Sequence, residues 1–256
     1  MINQTMKIYL TTFIVLSVLL TACYGNSYRE QKAIEYDEEQ TAIQPNIDSL
    51  LSDSSKILRA EFPLRFDSTR ILIHPVGFVN VLDAKATSRY DKKYRDYDEY
   101  QMMISTDQNN IKENITYLVF EDMDNNTIRP LTKKVLNISN IQYLRALAYK
   151  KNVHYLLYKV QDKDTNRDSK INKDDITSLY ISRLNGADFK KISSDYQQLE
   201  GGEWEYLANR YYFRTMEDVN KDGKFNKKDK YHYFYIDFSS EPYKVVEYDL
   251  LKDVLK

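Results

Sequence analysis

Beyond Phe62 the chain is written in short apolar runs of strand length, each closed by a polar turn. Residues 71–79 are the first such run, rich in Ile, Leu and Val. Pro75 interrupts it and predicts an edge or a bulge, because proline has no N–H to give to a ladder. Three later segments, 117–132, 178–193 and 232–247, align without gaps. Each holds an apolar strand, then a turn of Asp-Asn, Asn-Gly or Ser-Ser type. A second strand follows, opening on Ile, Phe or Tyr and then Arg or Lys. Asn185-Gly186 is a strong hairpin signal, since both residue types tolerate positive φ. A partner strand is expected before each hairpin, around residues 100–105, 153–160 and 210–216. The pattern predicts an all-β protein of antiparallel sheets, repeating at about 55 to 60 residues.

The first 60 residues read differently. Residues 24–60 are polar and hold no steady period, so they predict a tether, disordered or with a short helix. The helix is expected over 46–58, capped by Asn46 or Asp48, with Leu50, Leu51, Ile57 and Leu58 on its apolar side. Residues 83–100, charged and studded with Tyr, read as a loop. At the start, Lys7 precedes an apolar run over 8–20, too short for a comfortable membrane span and suited to a secretory leader. Leu20-Thr21-Ala22-Cys23 then resembles the lipobox of bacterial lipoproteins. That resemblance implies cleavage before Cys23, lipid on Cys23, and a bilayer as partner. It also accounts for the only cysteine in the chain, which has no disulfide partner in the same molecule. The expected organisation is a signal peptide over 1–22, a tether over 23–60 and a β-repeat domain over 61–256.

The strand-turn-strand from Leu179 through Asn185-Gly186 to Ser193 resembles the repeats of TolB-type β-propellers. The resemblance covers the hairpins and implies blade-like sheets. Closed propellers have 4 to 8 blades. Either residues 71–79 open a fourth, divergent sheet, or the blades do not close.

Two twelve-residue stretches carry the same acidic ladder, 54 residues apart. Asp164, Asn166, Asp168, Asn172 and Asp175 fall at positions 1, 3, 5, 9 and 12 of the first. Asp218, Asn220, Asp222, Asn226 and Asp229 fall at the same positions of the second. Position 8 is apolar in both, as Ile171 and Phe225. Turn composition alone explains the Asp and Asn content but not the shared register. Oxygens at this spacing suit a hard divalent cation. The ladders resemble the calcium loops of EF-hands and dockerins, over these twelve residues and not over the flanking helices of those families. The resemblance implies two Ca2+ sites, with the backbone carbonyls of Lys170 and Lys224 as further ligands. Gly223 stands where the loop turns sharply and Ser169 stands there in the first loop, so the first is expected to bind more weakly. Lysines in both loops oppose a cation, and dissociation constants of about 10⁻⁵ to 10⁻³ M are expected.

Composition narrows the function. A formal net charge of -1 provides no field for nucleic acid. The 23 tyrosines fit half-buried sheet surfaces, or an aromatic platform for sugars or peptides. His74, His154 and His232 lie in or beside expected strands without metal-ligand spacing. No nucleophile motif is recognisable. The reading is a calcium-binding lipoprotein of the bacterial envelope, at the outer membrane or cell surface, that binds an envelope protein or a glycan and is not an enzyme. The alternative is a glycan-active or other hydrolase using Glu200, Glu203 and Glu205 beside Trp204.

Overall fold

The computed structural model describes residues 33–36, 56–67, 69–80, 105–106 and 109–254. The chain separates into two compact units, 1–31 and 32–256, and every described residue belongs to the second. The leader with Cys23, the start of the expected helix at Asn46 and the loop over 83–100 lie outside the described residues.

Among the described residues the chain forms, in order, β1 (Lys56–Ala60), β2 (Ile71–Asn80), β3 (Ser105–Thr106), β4 (Asn110–Ile115), β5 (Tyr117–Asp122), β6 (Thr127–Pro130) and β7 (Asn137–Tyr143). Helix α1 (Arg145–Lys151) follows, then β8 (Tyr155–Gln161), β9 (Thr177–Arg183), β10 (Lys190–Lys191), β11 (Gln197–Glu205), β12 (Arg210–Glu217), β13 (Lys230–Asp237), β14 (Lys244–Tyr248) and α2 (Leu250–Val254). The strands build three antiparallel sheets. Sheet A has the order β1-β2-β5-β6, sheet B β10-β9-β8-β7-β4-β3, and sheet C β11-β12-β13-β14.

At its centre, sheet B is buried on both faces. Successive side chains of a strand point to opposite faces, and β8 uses both. Leu156, Tyr158 and Val160 join Ile73, Leu118 and Phe120 of sheet A in one core. Tyr155 and Leu157 join Tyr211, Phe213 and Ile236 of sheet C in the other. This is why β8 opens on four consecutive buried apolar residues, Tyr155 to Tyr158, while burial along the first half of β12 alternates. The Tyr158 hydroxyl is fully buried in the first core and shares a 2.6 Å hydrogen bond with Ser182 Oγ.

The three expected hairpins form as β5–β6, β9–β10 and β13–β14. In the second, Gly186 has φ +76° and Asn185 Oδ1 accepts the Ala187 N–H, so the Asn-Gly pair acts as its chemistry dictates. β8 and β12 are the expected partner strands of the second and third hairpins. The first hairpin differs: its partner is β2, with Ile73 opposite Phe120. Residues 105–106 and 110–115 instead add β3 and β4 to sheet B. A hairpin's own sequence does not say which distant strand completes its sheet.

Two further expectations are corrected. Ile57 and Leu58, assigned to a helix, lie in β1 opposite Val79 and Phe78. A short apolar run fits either period, and a ready partner edge decides for strand. The sheet region therefore starts at Lys56, before residue 61. Pro75 sits in a strand with neighbours on both sides, not on an edge strand. The β1 ladder ends at Ala60 opposite Val76; beyond it the Pro75 carbonyl accepts the Glu61 N–H, and only the return bond that proline has no N–H to give is lost.

Candidate metal centre

Both acidic ladders join adjacent antiparallel strands: the first runs from β8 to β9, the second from β12 to β13. Their backbones are near copies. Asp164 Oδ1 and Oδ2 accept the N–H groups of Asp168 and Ser169, at 3.1 and 2.8 Å. Asp218 Oδ1 and Oδ2 accept those of Asp222 and Gly223, at 3.3 and 2.8 Å. Asn166 and Asn220 each accept the N–H two residues on. Asp168 and Asp222 do the same for Lys170 and Lys224. At the far end Asp175 Oδ2 accepts from Asn172, and Asp229 Oδ2 from Asn226, at 2.9 and 2.7 Å. Positive φ recurs at position 4, in Arg167 and Lys221, and at position 6, in Ser169 and Gly223. The register shared in sequence is thus a shared conformation, in which each short Asx side chain turns the backbone around itself.

The loops differ at the closing carboxylate. Asp175 Oδ1 accepts the N–H and hydroxyl of Thr165 and the N–H of Asn166. Burial raises the Asp175 pKa, and these bonds only partly oppose it. Asp229 is 7% exposed, and its Oδ1 is buried with no hydrogen-bond partner. A buried carboxylate oxygen left unpaired is costly, so it marks where a cation fits.

Among the described residues no three His, Cys, Asp or Glu side chains converge on a single metal position. The loop carboxylates are held by backbone N–H groups, and amide nitrogens serve two of the expected ligand oxygens. Asn220 Nδ2 donates to Asp222 Oδ2 and Asn226 Nδ2 to the Lys224 carbonyl. A carboxylate oxygen that accepts one N–H keeps a second lone pair. The donor set of the second loop, hard oxygens with one orphaned carboxylate oxygen, fits calcium. In the first loop the closing carboxylate has all its partners, so the fit is poorer.

Sequence reasoning missed a third component. Residues 33–36, in the segment read as tether, lie against both loops. The Ile34 N–H donates to the Gly223 carbonyl at 3.0 Å, and the Glu35 N–H to the Thr165 carbonyl at 2.8 Å. Tyr36 Oη donates to Asp218 Oδ2 at 2.7 Å. Burial and the Asp218 carboxylate push the Tyr36 pKa far above its ordinary value, so the hydroxyl stays a donor. The signal available in sequence was an isolated Ile34 and Tyr36 in a polar stretch.

The candidate hydrolytic cluster is dispersed. Residues 200–205 lie in β11, with a register shift between Leu199 and Gly201. Trp204 packs inward on Phe238, ring centroids 5.7 Å apart. Glu203 and Glu205 alternate with it and are exposed. Glu205 accepts the Leu207 N–H. Glu203 borders a shallow hollow of about 330 Å³ with Tyr212, Arg214, Tyr233 and Tyr248. Around it Tyr212 and Tyr235 approach to 5.5 Å, and Arg210 lies 4.3 Å over Tyr235. The histidines are paired within the fold: His74 with Glu121, His154 with Tyr143, and His232 with both Glu217 and Glu247.

No protein-family model matches the chain, and no curated protein is similar to it. No helix among the described residues is long and apolar enough to cross a membrane.

Proposed function

We propose that this chain is a calcium-binding lipoprotein of the bacterial cell envelope, anchored in a bilayer through lipid on Cys23. Calcium braces the connections β8–β9 and β12–β13 of a β-repeat domain whose sheets act as propeller-like blades. The ligands are Asp164, Asn166, Asp168, the Lys170 carbonyl, Asn172 and Asp175 in the first site. Asp218, Asn220, Asp222, the Lys224 carbonyl, Asn226 and Asp229 serve the second. The observation that carries this reading is the buried, unpartnered Oδ1 of Asp229 in a loop of hard oxygens. Metal would offset the mutual repulsion of the loop carboxylates and fix the strands on either side.

The domain receives an envelope partner or a glycan. The outer face of sheet C supports the glycan: flat phenol rings stack on the C–H faces of sugars, while Glu203 and Arg214 at the rim hydrogen-bond hydroxyls. A hydrolase using Glu203 is the second reading, favoured by its place at this hollow. Loss of hydrolysis on Glu203→Gln with binding retained would select it.

Titration calorimetry of the full chain tests the metal reading. Two calcium-binding events are expected, and Asp229→Ala should remove the tighter. Absence of heat, together with a melting temperature indifferent to chelator, overturns it.

A further inference from the structure

We infer that residues 33–36 form a latch between the two loops, docked when calcium orders them and released when it leaves. The inference rests on the calcium reading and goes beyond it, by linking the ions to the segment that leads from Cys23.

Two backbone amides and both polar side chains of this tetrapeptide engage the loops. Ile34 bonds position 6 of the second loop and Glu35 bonds position 2 of the first. The Glu35 carboxylate pairs with Arg167, position 4 of the first, at 3.2 Å. Tyr36 donates to Asp218, position 1 of the second and the residue whose carboxylate turns that loop. Adjacent amides thus hold different loops, so the segment fits only while both loops keep their shape and separation. Ile34 is buried there, at 9% exposed. Gly223 leaves no room for a side chain: a Cβ would collide with the Ile34 carbonyl and lie 2.8 Å from Ala33 Cβ. The loop residue that makes the sharp turn is therefore also the residue that admits the latch.

Asp229, in the loop that Ile34 and Tyr36 hold, carries the orphaned buried oxygen that calls for a cation. Tyr36 is a positioning residue for that site. Its hydroxyl orients the Asp218 carboxylate from outside the ligand shell, as outer-shell donors do for metal ligands. Linkage is reciprocal: if ordered loops favour the latch, the latch must tighten ion binding by the same factor.

Hydrogen exchange at the Ile34 and Glu35 amides of the full chain, with saturating calcium and then with chelator, tests this. Protection is expected in calcium, lost by about tenfold or more on chelation. Tyr36→Phe should weaken second-site calcium binding about tenfold with the melting temperature in chelator unchanged. Glu35→Pro, which removes the N–H given to Thr165, should expose the Ile34 amide even in calcium. If calorimetry shows calcium binding while exchange at both amides ignores it, the latch is wrong and the metal reading stands. If calcium does not bind, both fall.

Discussion

Asp175 Oδ1 accepts two hydrogen bonds from Thr165, one from the backbone N–H at 2.7 Å and one from the hydroxyl at 3.1 Å. The same hydroxyl accepts the Ile176 N–H at 2.9 Å. Thr165 therefore closes the first loop on itself and joins it to the start of β9. Thr165→Val keeps the shape and leaves the Ile176 N–H, and part of the carboxylate, unpaired in a buried place. The expected loss is about 1–3 kcal/mol. Chemical denaturation in chelator, where calcium cannot mask the change, measures it.

Ser169 holds φ +65° at the position where the second loop has Gly223 at +76°. A side chain in this region costs about 1 kcal/mol, and glycine's extra freedom when unfolded returns part of it. Ser169→Gly should raise the calcium affinity of the first loop by about two- to fivefold. Site-resolved titration decides it, and an unchanged or weaker first site would show that strain does not limit this loop.

Gly186 lies under the Phe120 ring, so the β9–β10 turn rests on the core of sheet A. A Cβ there would stand 2.6 Å from two ring carbons, at φ +76°. Gly186→Ala should cost about 2–4 kcal/mol through overpacking and backbone strain. A lower urea midpoint with an unchanged slope is the expected result.

The Asp195 carboxyl is held below its ordinary pKa of 3.8 chiefly by the hydrogen bond from Lys191, against the effect of burial. A pKa lower in the folded state gives stability that is present above 3.8 and lost as pH falls through the folded value. Asp195→Asn should therefore lose less melting temperature than the wild type between about pH 5 and pH 2. Equal losses would show that the pair does not act in acid.

The readable features of this chain are those set by neighbours in sequence. Gly186 takes the positive φ of its turn and the Asn185 side chain accepts the Ala187 N–H, each a property of the residue at that place. The two ladders fold alike because each Asx side chain bonds an N–H two to five residues away. Even so, the positive φ at Arg167 and Lys221 was not legible, since neither residue type asks for it.

Determined by the sequence alone were the antiparallel strands, the hairpin turns and the twin loops, all products of side-chain period and local hydrogen bonding. Decided only by the tertiary structure were the union of β2 with β5, the strand at Ile57 and the seat of Ile34 and Tyr36 between the loops. Each depends on partners far along the chain. Their pairing is settled by which apolar faces and free backbone groups meet once loops close, and no local pattern encodes that.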